Sequence, residues 1–208
     1  MDPVYLKIWD EARPLYNVGR AMDIPHIDWM MNASEKIASS NGLDETILLP
    51  LVILHDVGYS AVPQENPFQI DIRKLHMKEG ARLAGEILLR IGYSEEKSKR
   101  IVYYVSIHDE WAIGNNLIYS KDRILGIFND LDFMWMATPI GFEAVQKIRQ
   151  CSVTDMVAFL KTNEKLTNRP FCSPATANMF WKYISEREIE IAQNNIQSNP
   201  RTPQCLEK

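Results

Sequence analysis

Residues 44–58 read DETILLPLVILHDVG. From Ile47 to Leu54 every side chain is apolar, so the hydrophobic surface runs round the whole circumference of a helix. A helix of that kind has to be enclosed by other elements on all sides. It is far too short to span a bilayer, and Pro50 is expected to bend it. The run ends on His55 and Asp56. A central helix therefore delivers two polar groups to the interior, where unpartnered polar atoms are costly.

Outward from this segment, apolar positions recur at spacings of three and four, not two, which predicts an all-α fold. Helices are expected over 3–12, 24–40, 44–57, 74–92, 95–110, 119–137, 139–149, 152–167 and 175–195. Asp23, Asp44, Ser94 and Ser120 are expected as N-caps. Gly42, Gly58 and Gly92 fall where a left-handed residue would end a helix. The stretch 59–73, with Pro63 and Pro67, has no period and reads as a functional loop. One domain is expected over 1–196, followed by a flexible tail over 197–208.

Composition excludes several classes. The 208 residues are 46% hydrophobic, enough for a packed core. The net charge of −4 argues against a nucleic-acid polymer as partner. Cys151, Cys172 and Cys205 are odd in number and widely spaced, which argues against a disulfide scaffold or thiolate zinc site. The start, MDPVYLKIWDEARP, is too acidic and broken for a signal peptide, and no membrane segment is expected. A cytoplasmic location is the expectation.

The chain has four histidines, and each extends the apolar stripe of its own helix. His26 shares a face with Met30, Ala33 and Ile37; His76 with Gly80, Leu83 and Ile87; His108 with Ile101 and Val105. His55 closes the apolar helix. One inward histidine is ordinarily a satisfied core residue, but four on four helices need a shared partner, and a divalent metal is one. Asp56 needs a cation for the same reason. On the helix over 119–137, Asp132 shares a face with Leu125, Phe128 and Met136, whereas Asp130 lies nearer Arg123 and Ile127. Asp132 is thus the better inward acid. The set of nitrogen and oxygen donors suits Mn, Fe, Co, Ni or Zn, and six ligands exceed what one tetrahedral ion needs.

The order His26, His55-Asp56, His76, His108, Asp132 resembles the HD superfamily of metal-dependent phosphohydrolases. The stretches RAMDIPHIDWMMNASEKIA, LLPLVILHDVGY, HMKEGARLAGEIL, IVYYVSIHDE and NDLDFMW carry the likeness, which covers roughly residues 18–137. The resemblance implies an all-α HD-domain helical bundle with additional C-terminal helices over 138–196. It also implies one or two divalent ions (Mn, Fe, Co, Ni, Zn or Mg) and hydrolysis of a small phosphorylated metabolite or nucleotide by metal-activated water.

On this reading His26, His55, Asp56, His76, His108 and Asp132 are the metal ligands. Asp56 anchors the chemistry, and Glu79 or Asp109 orients a ligand or relays a proton. Many relatives carry a phosphate-gripping lysine where this chain has Tyr59. Arg20, Arg73, Lys121 and Arg123 are the candidate substitutes, and Tyr59 either closes over the site or packs at the helix end. Phe159, Phe180, Trp181 and Tyr183 fit core packing, a homodimer interface or a pocket wall. Two other readings share the ligand set: a di-iron oxygenase on the same fold, and a non-catalytic metal or nucleotide sensor.

Overall fold

The computed structural model describes residues 2–63, 66 and 69–198, with side chains as far as residue 193. Residues 197 and 198 of the expected tail continue the last helix, and the rest of it, with Cys205, lies outside the described residues. Within them the fold is all-α, with no strand. The elements are α1 (Pro3–Val18), α2 (Ile24–Asn41), α3 (Glu45–Leu54), α4 (Ile70–Arg90), α5 (Glu95–Ile107), α6 (Ile118–Lys121), α7 (Arg123–Met134), α8 (Pro139–Arg149), α9 (Val153–Lys161), α10 (Lys165–Asn168) and α11 (Pro174–Ser198). Short 3₁₀ turns lie at Ala21–Asp23, Val57–Ala61, Glu110–Ile113 and Trp135–Ala137.

The apolar helix is the centre. α3 packs against α1, α2, α5 and α7, and its leucines, isoleucines and valine are fully buried. Its buried polar backbone is satisfied from outside. Pro50 has no N–H to give the Thr46 carbonyl, and the Tyr93 hydroxyl donates to that carbonyl at 2.6 Å instead. At the other end the Tyr16 hydroxyl donates to the Ile53 carbonyl at 2.9 Å. One buried apolar cluster runs from Tyr5 in α1 to Ile184 in α11.

Several boundaries differ from the sequence reading. α1 runs through Pro14 to Val18. The expected helix over 119–137 breaks at Asp122, whose carboxylate, not the Ser120 hydroxyl, caps α7 by accepting from Ile124 N and Leu125 N at 2.9 and 3.0 Å. The helix over 152–167 splits into α9 and α10. Asp44 and Ser94 cap as expected. Asp23 makes no side-chain cap and is pulled into a pair with Arg20. Gly42 and Gly92 are left-handed, with φ of 61° and 70°.

Gly58 serves a different purpose. A Cβ there would lie 2.0 Å from the His76 carbonyl oxygen and 2.5 Å from the Gly80 amide nitrogen. The turn after His55-Asp56 thus lies directly on the α4 backbone, with no room for any side chain. This contact sets His76 against Asp56. Gly58→Ala is therefore expected to destabilise the protein by at least about 1–3 kcal/mol in urea unfolding, because backbone must move. It should also displace His76 and reduce metal held there. Gly85→Ala in the same helix meets only Val102 Cγ2 at 3.6 Å, and should be neutral or stabilising by up to about 1 kcal/mol. Equal effects of the two substitutions would contradict this account.

The C-terminal helices fasten to α7. α11 packs on α9, α7 and the turn at Trp135–Ala137, and α8 packs on the same turn and on α9. The fastening is Asp130, which is fully buried with Lys165 at 2.5 Å. Its other oxygen accepts from Cys172 N at 2.8 Å and from the Thr176 hydroxyl at 2.7 Å. Asp130 and Asp132 point about 200° apart around α7, so one helix addresses both the C-terminal layer and the site.

Candidate metal centre

Each histidine reaches the site by a local device. His55 and His108 stand just past the ends of α3 and α5, where helix carbonyls lack partners. Their Nδ1 atoms sit 2.9 and 2.8 Å from the Val52 and Val105 carbonyls, three residues back. A carbonyl can only accept, so Nδ1 carries a proton and Nε2 is the ring atom each histidine turns to the centre. His26 stacks on Trp135, with ring centroids 5.2 Å apart, and His76 stacks on Tyr59 at 4.1 Å and 8°. Tyr59 is thus a wall that orients His76, with the Arg20 guanidinium 4.5 Å from the same ring.

The six expected ligands fall into two groups, His26–His55–Asp132 and Asp56–His76–His108. His26 Nε2 is 3.4 Å from Asp132 Oδ1, and His55 Nε2 is 4.0 Å from it. In the other group, His76 and His108 Nε2 lie 3.4 and 3.3 Å from Asp56 Oδ1 and 3.1 Å from each other. Asp56 Oδ2 turns the other way, 3.3 Å from His55 Nε2. Asp56 therefore touches both groups, one oxygen to each. Asp23 makes a third grouping with His26 and Asp56.

A divalent ion fits these donors. Ligand atoms about 2.1 Å from a common ion lie roughly 3–3.5 Å apart, and most separations here match. The Nε2 atoms of His26 and His55 are buried with no hydrogen-bond partner. Charge points the same way. Four aspartates, Asp23, Asp56, Asp109 and Asp132, crowd one cavity, and Glu164 also lines it. Arg20 neutralises Asp23 at 3.0 Å and Arg73 neutralises Asp109. Asp56 and Asp132 are left facing imidazoles.

The titration of the metal-free groups reflects this crowding. Burial raises Asp132 to about 6 and Asp23 to about 7. Burial pushes His26 down to about 3, so it stays a neutral ligand. For His55 burial also opposes charge, but the adjoining Asp56 outweighs it and lifts the ring to about 9. Burial alone would raise Asp56; the three imidazoles hold it well below the usual carboxylate range.

Above the ligands opens a cavity of about 380 Å³. Arg20, Tyr59, Arg73 and Asp109 line it, as the sequence reading expected of site residues. Asp109 is fully engaged: Oδ1 accepts from Trp111 Nε1 at 2.9 Å, Oδ2 accepts from Arg73, and His76 Nε2 is 3.9 Å away. It positions groups rather than standing free as an acid.

The structure does not bring three expected residues to the cavity. Glu79 faces outward and accepts from Arg82 at 2.9 Å. Lys121 and Arg123 are exposed before and at the start of α7, about 14 Å along the axis from Asp132. Of the C-terminal aromatics, Phe159 lines the cavity, Phe180 is buried core and Trp181 is exposed. Tyr183 accepts from Trp29 Nε1 at 3.4 Å.

Sequence reasoning missed Trp111, Asn129, Arg149 and Arg169, which also line the cavity. Two had a signal: Trp111 follows His108 by three, and Asn129 precedes Asp132 by three. Arg169 had none, because packing after the short α10 brings it there. Asp23, read as a cap and as part of the opening stretch before His26 but not as a site residue, sits three residues before His26.

No helix among the described residues is long and apolar enough to cross a membrane. No curated protein and no solved structure matches the chain. A family model does, over residues 24–140, from the start of α2 to the start of α8 and across all six ligand positions. With more than half its length so matched, the chain belongs to the HD domain family.

Proposed function

We propose that the protein is a cytoplasmic metal-dependent phosphohydrolase that cleaves a phosphate ester of a small metabolite or nucleotide. The observation that carries this reading is Asp56, whose two oxygens face two separate His/Asp groups at the floor of an arginine-lined cavity. Two sets of three donors around a shared carboxylate favour two divalent ions over one. Bound there, divalent ions supply Lewis-acid stabilisation of phosphoryl oxygens and an activated water.

The chain's own residues do the rest. His26, His55 and Asp132 would hold one position; His76, His108 and Asp56 would hold the other. Val52 and Val105 fix the two tautomers, and Tyr59 and Trp135 fix the other two rings. Arg20 and Arg73 each pair with an aspartate, which keeps positive charge at the cavity wall without making the floor cationic. Met22, Val145, Ile148 and Phe159 give the remaining wall an apolar character suited to the organic part of an ester.

The test is reconstitution with Mn, Fe, Co, Ni, Zn or Mg, followed by a panel of phosphomonoesters, diesters and nucleotides. Metal-dependent phosphate release is expected. Inertness on the whole panel with metal bound overturns the reading. O₂ consumption by the iron-loaded protein without phosphate release assigns it to the oxygenases instead, and tight nucleotide binding without turnover to the sensors.

A further inference from the structure

Arg169 is 6% exposed and lines the cavity. Its guanidinium hydrogen-bonds to neutral groups only. Nε donates to Asn129 Oδ1 at 3.2 Å, Nη1 donates to Asn116 Oδ1 at 2.7 Å, and the Trp111 ring centroid is 4.8 Å away. No carboxylate pairs with it among the described residues. Burial together with the missing carboxylate sets it apart from the other arginines of the cavity: Arg149 also has no carboxylate partner among the described residues but is exposed, over the Phe159 ring at 3.8 Å. Arg73 lies over the same indole at 4.7 Å but is neutralised by Asp109, and Arg20 is neutralised by Asp23.

Buried cations are ordinarily paired, and a guanidinium without a carboxylate in such a place is a preformed oxyanion site. Burial pulls Arg169 below its ordinary value, and the charges of Tyr119, Glu164, Asp132 and Asp109 around the cavity offset that only in part.

We propose that Arg169, supplied by the C-terminal layer outside the HD match, is the residue that grips the substrate's phosphate oxyanion. It takes the part that Tyr59 cannot play, because Tyr59 is committed to His76. The two asparagines orient the planar fork while leaving its charge unspent for a ligand. The inference rests on the phosphohydrolase reading only for the identity of the anion.

The test titrates metal-loaded protein with inorganic phosphate, so it needs no turnover. Arg169→Met is expected to weaken phosphate binding about 10- to 100-fold with metal content unchanged. Asn116→Asp keeps the arginine and hands it a carboxylate. That variant should melt no lower than the parent, yet bind phosphate about tenfold more weakly. Should Arg169→Met fail to fold, Asn116→Asp decides alone.

Phosphate affinity within twofold of the parent in Asn116→Asp overturns the proposal, as does a loss in Arg169→Met that merely follows lost metal. Acetate binding that falls as phosphate binding does not would assign Arg169 to a carboxylate of the substrate, also against the proposal. A protein inert on every ester but with Arg169-dependent phosphate binding sinks the hydrolase reading and leaves this one standing.

Discussion

Asp56→Asn is expected to empty the metal centre and lower hydrolysis about 10³-fold or more. Loss of a single electrostatic donor from a prearranged site costs about 10²–10³-fold, and Asp56 faces both donor groups at once. Asparagine keeps the shape, so the change isolates charge and denticity. The backbone after residue 56 rests on Gly58 against α4, not on the carboxylate, so the fold should persist. Single-position variants calibrate the result. His108→Ala breaks only the Asp56–His76–His108 group and leaves His26, His55 and Asp132 in place. It should lower bound metal from two equivalents to one, measured by elemental analysis. Full metal content in Asp56→Asn would show that the carboxylate does not bridge, and loss of both ions in His108→Ala would show a single cooperative site.

Much of this centre could be read from one dimension. The helical period put His26, His76, His108 and Asp132 on inward faces and read Asp132 as the better inward acid; Asp132 is the one that reaches the cavity, although Asp130 is buried more completely, against the C-terminal layer. That choice works because α7 is regular from Arg123 onward, so residue spacing converts directly to angle. The same logic failed for Glu79, which is three residues from His76 yet pairs with Arg82 at the surface. Spacing gives an angle to within a wide sector, and nearby partners settle the rest. Lys121 and Arg123, offered as substitute grips because they lie near the last metal-ligand helix, are exposed at its far end, since position along a helix matters as much as its identity. Arg169 and Lys165 were out of reach altogether. Their partners lie 40 and 35 residues away, joined by packing that no local period encodes.

The last of these produces the largest expected effect on stability. Lys165→Met should destabilise the protein by about 3–5 kcal/mol, because it strands a buried carboxylate rather than merely deleting a contact. Neither side chain of the pair has any exposed surface. The ammonium sits 3.8 Å from the Phe171 ring centroid, so water has no ready way in. Asp130 cannot simply be discarded either, since Cys172 N and Thr176 depend on its second oxygen. The double variant Asp130→Asn/Lys165→Met tests the cause. It removes both charges and keeps an acceptor, so it should recover most of the loss in urea unfolding. If the two changes simply add, the pair is not an electrostatic unit. The effect reaches the cavity as well. Arg169 N donates to the Lys165 carbonyl at 2.9 Å, so the residue that anchors the C-terminal layer is one helical turn from the guanidinium that lines the cavity. Lys165→Met should therefore weaken inorganic phosphate binding at temperatures where the protein is still folded, and the double variant should restore it. Restored stability without restored phosphate affinity would separate the anchor from the grip.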